Sequence, residues 1–287
     1  MSSPHHRVVA LGGGHGLAAT LRALTAIDSQ ATAIVTVADD GGSSGRLRQD
    51  YGVLPPGDLR MALSALCDAN KHGQELAQLF QHRFAGDGSL SGHPVGNVIL
   101  TALWQLETDK VSALRRAASL LGVRGQVLPM STQPLEIMAH VEESTGERRC
   151  ITGQAQVASA EGRILDVAIV PENPPACPEA LTAIATADWI ILGPGSWYTS
   201  IMPALIIPEL REAIVASPAQ KLIVLNLTDQ PGETEGLSPV EHLKVFGQYG
   251  QGLKVDAVLV DDSFQDQAVH IRDSAAELGA RLILADV

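Results

Sequence analysis

Near its N-terminus the chain reads Val8-Val9-Ala10-Leu11-Gly12-Gly13-Gly14-His15-Gly16-Leu17, a short apolar run followed by a turn made almost entirely of glycine. Leu17, Leu21 and Leu24 then recur at helical spacing. This order predicts a buried strand, a tight turn and an amphipathic helix. Glycine lets the backbone approach an anion closely, and a helix start directs N–H groups at it, so the turn is predicted to contact phosphate. A turn that needs glycine only for its backbone conformation is the alternative.

The composition supports a buried parallel sheet and limits the possible partners. Of the 287 residues, 45% are hydrophobic and only 3% aromatic, which suits a core of aliphatic strands covered on both faces by helices. The formal net charge of −12 argues against nucleic acid and anionic membranes as partners. Three scattered cysteines favour a reducing, cytoplasmic location over a disulfide framework. We expect no secretory leader and no membrane insertion, since no apolar run approaches spanning length.

Strands and helices alternate along most of the chain. Strands are predicted at 33–37, 188–192, 222–225, 255–260 and 281–284, and helices at 58–66, 74–82, 95–106, 111–121, 239–249 and 265–278. The helical run at roughly 55–125 comes where a simple βαβ unit would already have returned to the sheet, so it is expected to be an insertion. Residues 125–170 are β-rich, including segments at 149–159 and 163–170. The sequence therefore predicts an α/β fold: a Rossmann-like, doubly wound, mostly parallel sheet with a helical insertion and a small β-rich segment, in a single domain over residues 1–287.

Four predicted strands end in polar, glycine-rich loops. These loops are Gly12–Gly16, Asp39–Gly45, Gly193–Ser200 and Asn226–Gly236. The carboxyl ends of parallel strands share one edge of a sheet, and open α/β sheets bind their ligands there. The loops are therefore expected to converge on one crevice that holds an anionic, nucleotide-type ligand.

Two functional hypotheses apply to the carboxylates Asp39 and Asp40. One of them could accept a ribose hydroxyl, or both could hold Mg²⁺ against ligand phosphates. An Asx-type turn is the structural alternative. Arg46 could offset charge in the same loop or simply solvate a helix face.

The later loops add further candidates. Gly193 to Ser196, with Thr199 and Ser200, is read as a second anion nest or as a helix cap. Asn226, Thr228 and Asp229 are expected near a base or sugar. Asn97 could contact the ligand or cap its helix, and His15 and His93 could donate to phosphate or act as acid or base.

Taken together, these motifs resemble the family that contains the bacterial gluconeogenesis factor YvcK and the phospholactate transferase CofD. The resemblance rests on segments 12–17, 39–48, 55–60, 92–97, 193–200 and 230–234. It implies a Rossmann-like fold and a nucleotide-containing ligand. In the gluconeogenesis-factor branch, the ligand is a UDP-sugar and the role is control of carbon flow, peptidoglycan (cell-wall) synthesis and cell shape. In the transferase branch, a guanosine-activated phospholactate is passed to a deazaflavin alcohol with Mg²⁺.

Three hypotheses follow for the function. The leading one is a non-catalytic regulator that binds a UDP-sugar such as UDP-glucose or UDP-N-acetylglucosamine and signals to an unidentified protein partner. The second is a Mg²⁺-dependent transferase of the 2-phospho-L-lactate type, with Asp39 or Asp40 as catalytic residues. The third is an NAD-dependent oxidoreductase, which rests only on Gly14-x-Gly16-x-x-Ala19 followed by Asp39.

We expect that the protein requires no cofactor; if it uses one, the candidate is Mg²⁺. A homodimer is left open, and the chain, which ends soon after its last predicted strand, is expected to lack any regulatory C-terminal tail of longer relatives. The predicted ligand-binding residues are Gly12, Gly13, Gly14, His15, Gly16, Asp39, Asp40, Ser43, Ser44, Arg46, His93, Asn97, Gly193, Pro194, Gly195, Ser196, Thr199, Ser200, Asn226 and Thr228, with Asp39 and Asp40 also as metal ligands.

Overall fold

A computed structural model describes residues 6–228, 230, 233–234 and 236–287. It contains two β-sheets. The larger is built from β1 Arg7–Gly12, β2 Gln30–Val35, β3 Gln126–Pro129, β7 Trp189–Leu192, β8 Gln220–Val224, β9 Ala257–Asp261 and β10 Arg281–Ala285. The smaller is built from β4 Glu136–Glu142, β5 Arg148–Thr152 and β6 Arg163–Val170. The larger sheet has the order β10-β9-β8-β7-β1-β2-β3 with all its pairs parallel, and the smaller is antiparallel in the order β5-β4-β6.

The central strands are buried on both faces, as their continuous aliphatic sequences predict. Ala10, Leu11, Ile190 and Ile223 are all fully buried. Helices cover the sheet, and their bounds are α1 Gly14–Ala26, α2 Gly42–Tyr51, α3 Pro56–Ala65, α4 Lys71–Gln81, α5 Val95–Leu106, α6 Lys110–Leu121, α7 Gln154–Val157, α8 Pro178–Thr186, α9 Met202–Ile206, α10 Pro208–Ala216, α11 Pro239–Tyr249 and α12 Ala268–Glu277. A π-helical turn at Trp197–Ile201 precedes α9, and a 3₁₀ segment at Asp262–Gln267 precedes α12. The predicted Rossmann-like α/β class is confirmed.

The helices expected as an insertion connect two neighbouring strands of the sheet. The chain leaves β2, passes through α2 to α6 and returns as β3, which pairs with β2 in parallel. Within this crossover, α3 packs against α1, β2 and β3. The long helical run is therefore part of the layer that covers the sheet beside α1.

Three details differ from the sequence-based expectation. Helix α2 begins at Gly42, inside the segment expected as a loop. The strand expected at 149–159 stops at Thr152, because Gly153 has a φ of +104° and α7 follows it. Residues 126–129, expected in the β-rich segment, instead form the edge of the main sheet. None of the helices in the described ranges is long and apolar enough to cross a lipid bilayer.

The strand order places a switch point between β1 and β7. From β1 the chain builds outward through β2 to β3, and it later resumes on the other side with β7, β8, β9 and β10. The neighbours β2, β1, β7 and β8 all run in the same direction, so their carboxyl ends form one continuous edge. Crevices at such switch points are the usual ligand sites of open α/β sheets.

Candidate functional site

The turns that follow β1 and β7 are in direct contact at this edge. A Cβ atom added to Gly16 would overlap the backbone carbonyl of Pro194. Thr20 on the same helix donates its hydroxyl to the carbonyl of Gly193 at 3.3 Å. The two glycine-rich turns, separated by about 180 positions in the sequence, therefore share one rim, as the parallel-sheet argument predicts.

The glycines of the β1 turn have different neighbours. A Cβ at Gly13 would collide with the Asp58 carboxyl group and would lie 3.1 Å from Ser200 Oγ. Gly14, in contrast, has a φ of +59° and no neighbouring atom within 4 Å of its Cβ position. Gly13 is the N-cap residue of α1 and offers no side-chain cap. The N–H of Gly14 is hydrogen-bonded to the Asp58 carboxyl group, while the N-cap residue supplies no side-chain cap and Gly14 borders open space. A helix start of this kind is a common binding place for an anion.

The β7 turn is filled by a carboxylate of the protein itself. Glu233, only 6% exposed, accepts hydrogen bonds from Ser196 Oγ and Thr199 Oγ1, both at 2.6 Å, and from the backbone N–H of Tyr198 at 3.2 Å. Three donors around one carboxylate form a strong, charge-assisted arrangement. The hydroxyls of Ser196 and Thr199, predicted to face a ligand phosphate, are thus already engaged.

Asn226 also serves the protein backbone. Its Oδ1 accepts from the N–H of Gly195 at 2.8 Å, and its Nδ2 donates to the carbonyl of the same residue at 2.9 Å. This pair of bonds ties the end of β8 to the β7 turn. Thr228 is exposed at the same edge, and Asp229 lies outside the described residues.

The neighbouring carboxylates Asp39 and Asp40 face different partners. Asp39 Oδ1 accepts from the N–H of Gly41 at 3.0 Å, which is the Asx-type turn. Asp40 Oδ1 accepts from the N–H of Ala155 at 2.9 Å, at the start of the short helix α7. Asp39 Oδ2 borders Gly57 and so approaches the start of α3. Of the two, Asp39 is the one whose charge reaches Asp58, the residue that borders Gly13.

Asp58 was not among the predicted ligand-binding residues, yet it lies directly against that turn. Its Oδ2 is buried without a hydrogen-bond partner among the described residues. Burial is the main cause that raises the pKa of this carboxyl to about 7; the charge of Asp39 adds to the increase, while the N–H of Gly14 and the charge of Arg60 oppose it. Asp58 is in the first turn of α3, where an acidic residue normally stabilises the helix dipole. The sequence alone therefore does not indicate that Asp58 contacts the β1 turn.

Three predicted residues form a buried hydrogen-bonded cluster where the start of α2 meets the start of α5. Ser43 Oγ lies 2.8 Å from His93 Nδ1 and accepts from Asn97 Nδ2 at 2.9 Å. Burial, followed by the charge of Arg46, lowers the pKa of His93. Asn97 is inside the first turn of α5, whose N-cap is Pro94, so the capping alternative for Asn97 is wrong. Its Oδ1 is buried and receives no hydrogen bond from a donor among the described residues, although buried carbonyl oxygens normally do.

The other predicted residues have simpler surroundings. Ser44 Oγ accepts from the N–H of Gly57 at 3.0 Å and so joins α2 to α3. Arg46 is exposed and donates to the carbonyl of Ser91 at 3.0 Å. His15 is exposed at the start of α1. Of these three residues, only Ser44 makes a buried contact.

Within the described part of the chain, no three His, Cys, Asp or Glu side chains gather closely enough to hold a metal ion by themselves. Asp39 and Asp58 nevertheless form a pair of neighbouring carboxyl groups, one with an orphaned oxygen. Mg²⁺ is commonly held by one or two carboxylates together with substrate phosphates. The pair therefore fits a cation shared with a bound phosphate, and it fits better than Asp40, whose Oδ1 is committed to α7.

Comparisons with known proteins agree with this fold and edge. Residues 8–284 match the family model described as 2-phospho-L-lactate transferase CofD. A putative gluconeogenesis factor of Mycobacterium tuberculosis is 45% identical over 286 residues, covering 98% of this chain and 84% of that protein. The gluconeogenesis factor of Bacillus subtilis is 40% identical over 256 residues, covering 89% of this chain and 78% of that protein.

A crystal structure of a UPF0052 family protein from Bacillus halodurans is also similar. It superposes with a TM-score of 0.86 at 36% identity and covers 99% of this chain and 94% of its own. The family match runs from the first strand of the larger sheet to its last. The chain therefore belongs to the CofD family.

Proposed function

We propose that this protein is a regulator that binds a nucleotide sugar, namely a UDP-sugar such as UDP-glucose or UDP-N-acetylglucosamine, in the crevice between the β1 and β7 turns. The observation that carries the proposal is the start of α1: its N-cap residue Gly13 supplies no side-chain cap, it borders open space at Gly14, and it lies at the switch point of a parallel sheet. The ligand diphosphate would lie against this helix start.

The buried cluster of Ser43, His93 and Asn97 supports a polar end of the ligand at the neighbouring strand end. Asn97 Oδ1 lacks a donor among the described residues, and a hydroxyl or an amide N–H of a nucleoside or sugar would supply one. Membership of the CofD family and the names of the relatives support a gluconeogenesis-linked role. Regulation of cell-wall synthesis and cell shape through a protein partner is part of the same proposal.

Isothermal titration calorimetry tests the ligand. We expect heat with UDP-glucose or UDP-N-acetylglucosamine, and weaker or no heat with GDP and NAD. Asn97→Ala should reduce the affinity about tenfold or more, since a bond to a buried polar group contributes on the order of 1–3 kcal/mol. Thr101→Ala, a matched loss of a buried polar group one turn further along α5, should leave the affinity unchanged. Absence of heat with both UDP-sugars would refute the proposal.

The orphaned carboxyl of Asp58 beside Asp39 favours one alternative, a Mg²⁺-dependent phosphoester transferase. Bound there, Mg²⁺ would neutralise charge on a transferring phosphoryl group. Asp39 and Asp58 would hold the cation, and the α1 start would orient the phosphates. Turnover should then require Mg²⁺ and disappear in Asp58→Asn while nucleotide binding survives. In Asp40→Asn, whose carboxylate is engaged with α7, turnover should persist.

The oxidoreductase hypothesis loses its structural support. In dinucleotide folds the third small residue of the fingerprint allows close packing of helix and strand. Here that residue, Ala19, is exposed, and Gly16 packs against Pro194 of the β7 turn. The spacing of the glycines therefore reflects contact between two turns of the protein.

A further inference from the structure

A groove of about 840 Å³ lies between α1 and the α3–α4 pair. His15, Ala18 and Arg22 line it along one face of α1. Gly16 and Thr20 lie on a different face of the same helix and contact the β7 turn. The groove is therefore adjacent to the crevice described above but distinct from it.

The wall of the groove contains a buried arginine without an ion pair. Arg60 is only 4% exposed, and its Nη1 donates to the neutral side-chain oxygen of Gln81. Its Nε–H has no acceptor among the described residues, and none of their carboxylates forms an ion pair with it. Buried charges in proteins are normally paired, because an isolated charge is costly to remove from water. An unpaired guanidinium facing a groove therefore indicates that an anion completes the site.

Further positive charge surrounds Arg60. The exposed Arg22 and Arg83 line the same groove, together with His15. Burial, followed by the charge of Arg83, lowers the pKa of Arg60 to about 10. The more distant charges of Asp58 and Asp39, which form no ion pair with Arg60, oppose the decrease. Asp68, the acidic residue of the lining, is paired with Arg124. This concentration of cations is notable in a protein whose formal net charge is −12.

We propose that this groove binds a phosphate group, held by the guanidinium of Arg60 at its inner wall and by Arg22 and Arg83 at its mouth. Three guanidinium groups match a doubly charged phosphate better than a single carboxylate, and guanidinium is the side-chain group best shaped for phosphate oxygens. The site does not depend on the proposed function, because inorganic phosphate alone should bind the groove whether or not the protein recognises a UDP-sugar.

The unpaired Nε–H of Arg60 offers a direct spectroscopic test. The full chain, labelled with ¹⁵N-arginine, is titrated with sodium phosphate at constant ionic strength maintained with chloride. The Arg60 Nε–H signal, assigned by its loss in Arg60→Lys, should shift and saturate while that of the exposed Arg272 on α12 stays in place. An unmoved Arg60 signal, or equal unsaturated drift of both signals, would overturn the proposal.

Surface variants make the test independent of any folding defect at Arg60. Arg22→Gln and Arg83→Gln should each weaken phosphate binding about tenfold, equivalent to roughly 1.4 kcal/mol. Arg272→Gln is the matched control and should bind phosphate as the unmodified chain does. Unchanged affinity in both groove variants, or an equal loss in the control, would refute the site.

The phosphate could belong to the nucleotide or to a separate phosphorylated metabolite, and adding UDP-glucose to the phosphate-saturated protein distinguishes them. Displacement of phosphate assigns the groove to the diphosphate of the nucleotide. Binding of both together assigns it to a second, phosphorylated small molecule. If UDP-glucose fails to bind at all while the phosphate signals still saturate, the proposed function fails and the groove site stands.

Discussion

The turn after β1 and the turn after β7 are both rich in glycine, and each has an acidic side chain of the protein against it. At the β7 turn, Glu233 is surrounded by three donors and behaves as a built-in anion. At the β1 turn, Asp58 has an orphaned oxygen and a pKa raised to about 7. At the β7 turn, the donors that would bind a ligand anion are already bonded to the carboxylate of Glu233. At the β1 turn, the N-cap residue supplies no cap and one oxygen of the acid has no partner among the described residues, so this turn keeps polar groups available to a ligand.

The largest expected effect concerns the contact between the two turns. Gly16→Val places side-chain atoms where the carbonyl of Pro194 lies, and backbone cannot yield as a flexible side chain does. We expect the free energy of unfolding to fall by about 4 kcal/mol or more, measured by urea denaturation. Ala19→Val adds the same side chain at an exposed position of α1 and should cost less than about 1 kcal/mol. Equal losses in both variants would show that the turns do not touch.

The next effect concerns the acid at the β1 turn. The Asp58 carboxyl has a pKa of about 7 when folded, against its ordinary 3.8, so between these values the folded state binds more protons than the unfolded state. The free energy of unfolding should therefore fall as pH rises from about 4 to about 7 and then level off. Asp58→Asn removes this decline and should be more stable at pH 8 by about 4 kcal/mol, since each pKa unit corresponds to about 1.4 kcal/mol.

The pH profile also tests the cation site. Mg²⁺ held by Asp39 and Asp58 would stabilise their charged forms, so it should restore stability to the unmodified chain at pH 8 and not to Asp58→Asn. Denaturation profiles of the two chains that run parallel over this pH range would contradict the raised pKa.

A smaller effect is expected at the β7 turn. Glu233→Gln keeps the shape of the side chain but removes the charge that holds Ser196, Thr199 and the N–H of Tyr198. The free energy of unfolding should fall by about 2 kcal/mol at neutral pH. Glu161→Gln, which removes an exposed charge, serves as the control and should change stability by less than about 0.5 kcal/mol.

Removal of the Glu233 charge also tests whether the ligand uses the β7 turn. If phosphate of the ligand contacts only the β1 turn, the affinity for UDP-glucose should be the same in Glu233→Ala as in the unmodified chain. A clear gain in affinity in Glu233→Ala would mean that Glu233 occupies a place the ligand also uses. The ligand would then contact the β7 turn as well as the β1 turn.

The smallest effect concerns the tie between the β7 and β8 strand ends. Asn226→Asp keeps the acceptor for the N–H of Gly195 but replaces the Nδ2 donor by an oxygen, which repels the Gly195 carbonyl. We expect a loss of about 1 kcal/mol in the free energy of unfolding. Asn173→Asp, at a loop position, is the control for the same chemical change. A variant as stable as the unmodified chain would show that the two bonds add nothing.

The sequence predicts elements well where local signals agree. Helix α11 has the predicted bounds of 239–249 because two local signals mark its start. Ser238 and Glu241 form a capping box, and Pro239 occupies the first turn. Helix α2 escaped prediction because Gly-Ser-Ser-Gly has low helix propensity. Its place is fixed by distant partners: Ser44 with the N–H of Gly57, and Arg48 with the carbonyl of Leu135.

The same division applies to the candidate site. The meeting of the β1 and β7 turns follows from parallel strands alone, so the sequence could predict it. The roles of Glu233 and Asp58 could not be predicted, because they depend on which side chains from separate loops reach a given turn. Asp58 reaches Gly13 from a different helix, and Glu233 reaches Ser196 from beyond the next strand.

The adjacency of β1 and β7 has a consequence for how the protein is made. Val8 and Trp189 are paired neighbours in the sheet although most of the chain is synthesised between them. The residues that flank the crevice therefore cannot assemble until β7 has left the ribosome, and contacts this distant in sequence form slowly. A chain interrupted before residue 188 would carry the glycine-rich start of α1 with no opposing wall.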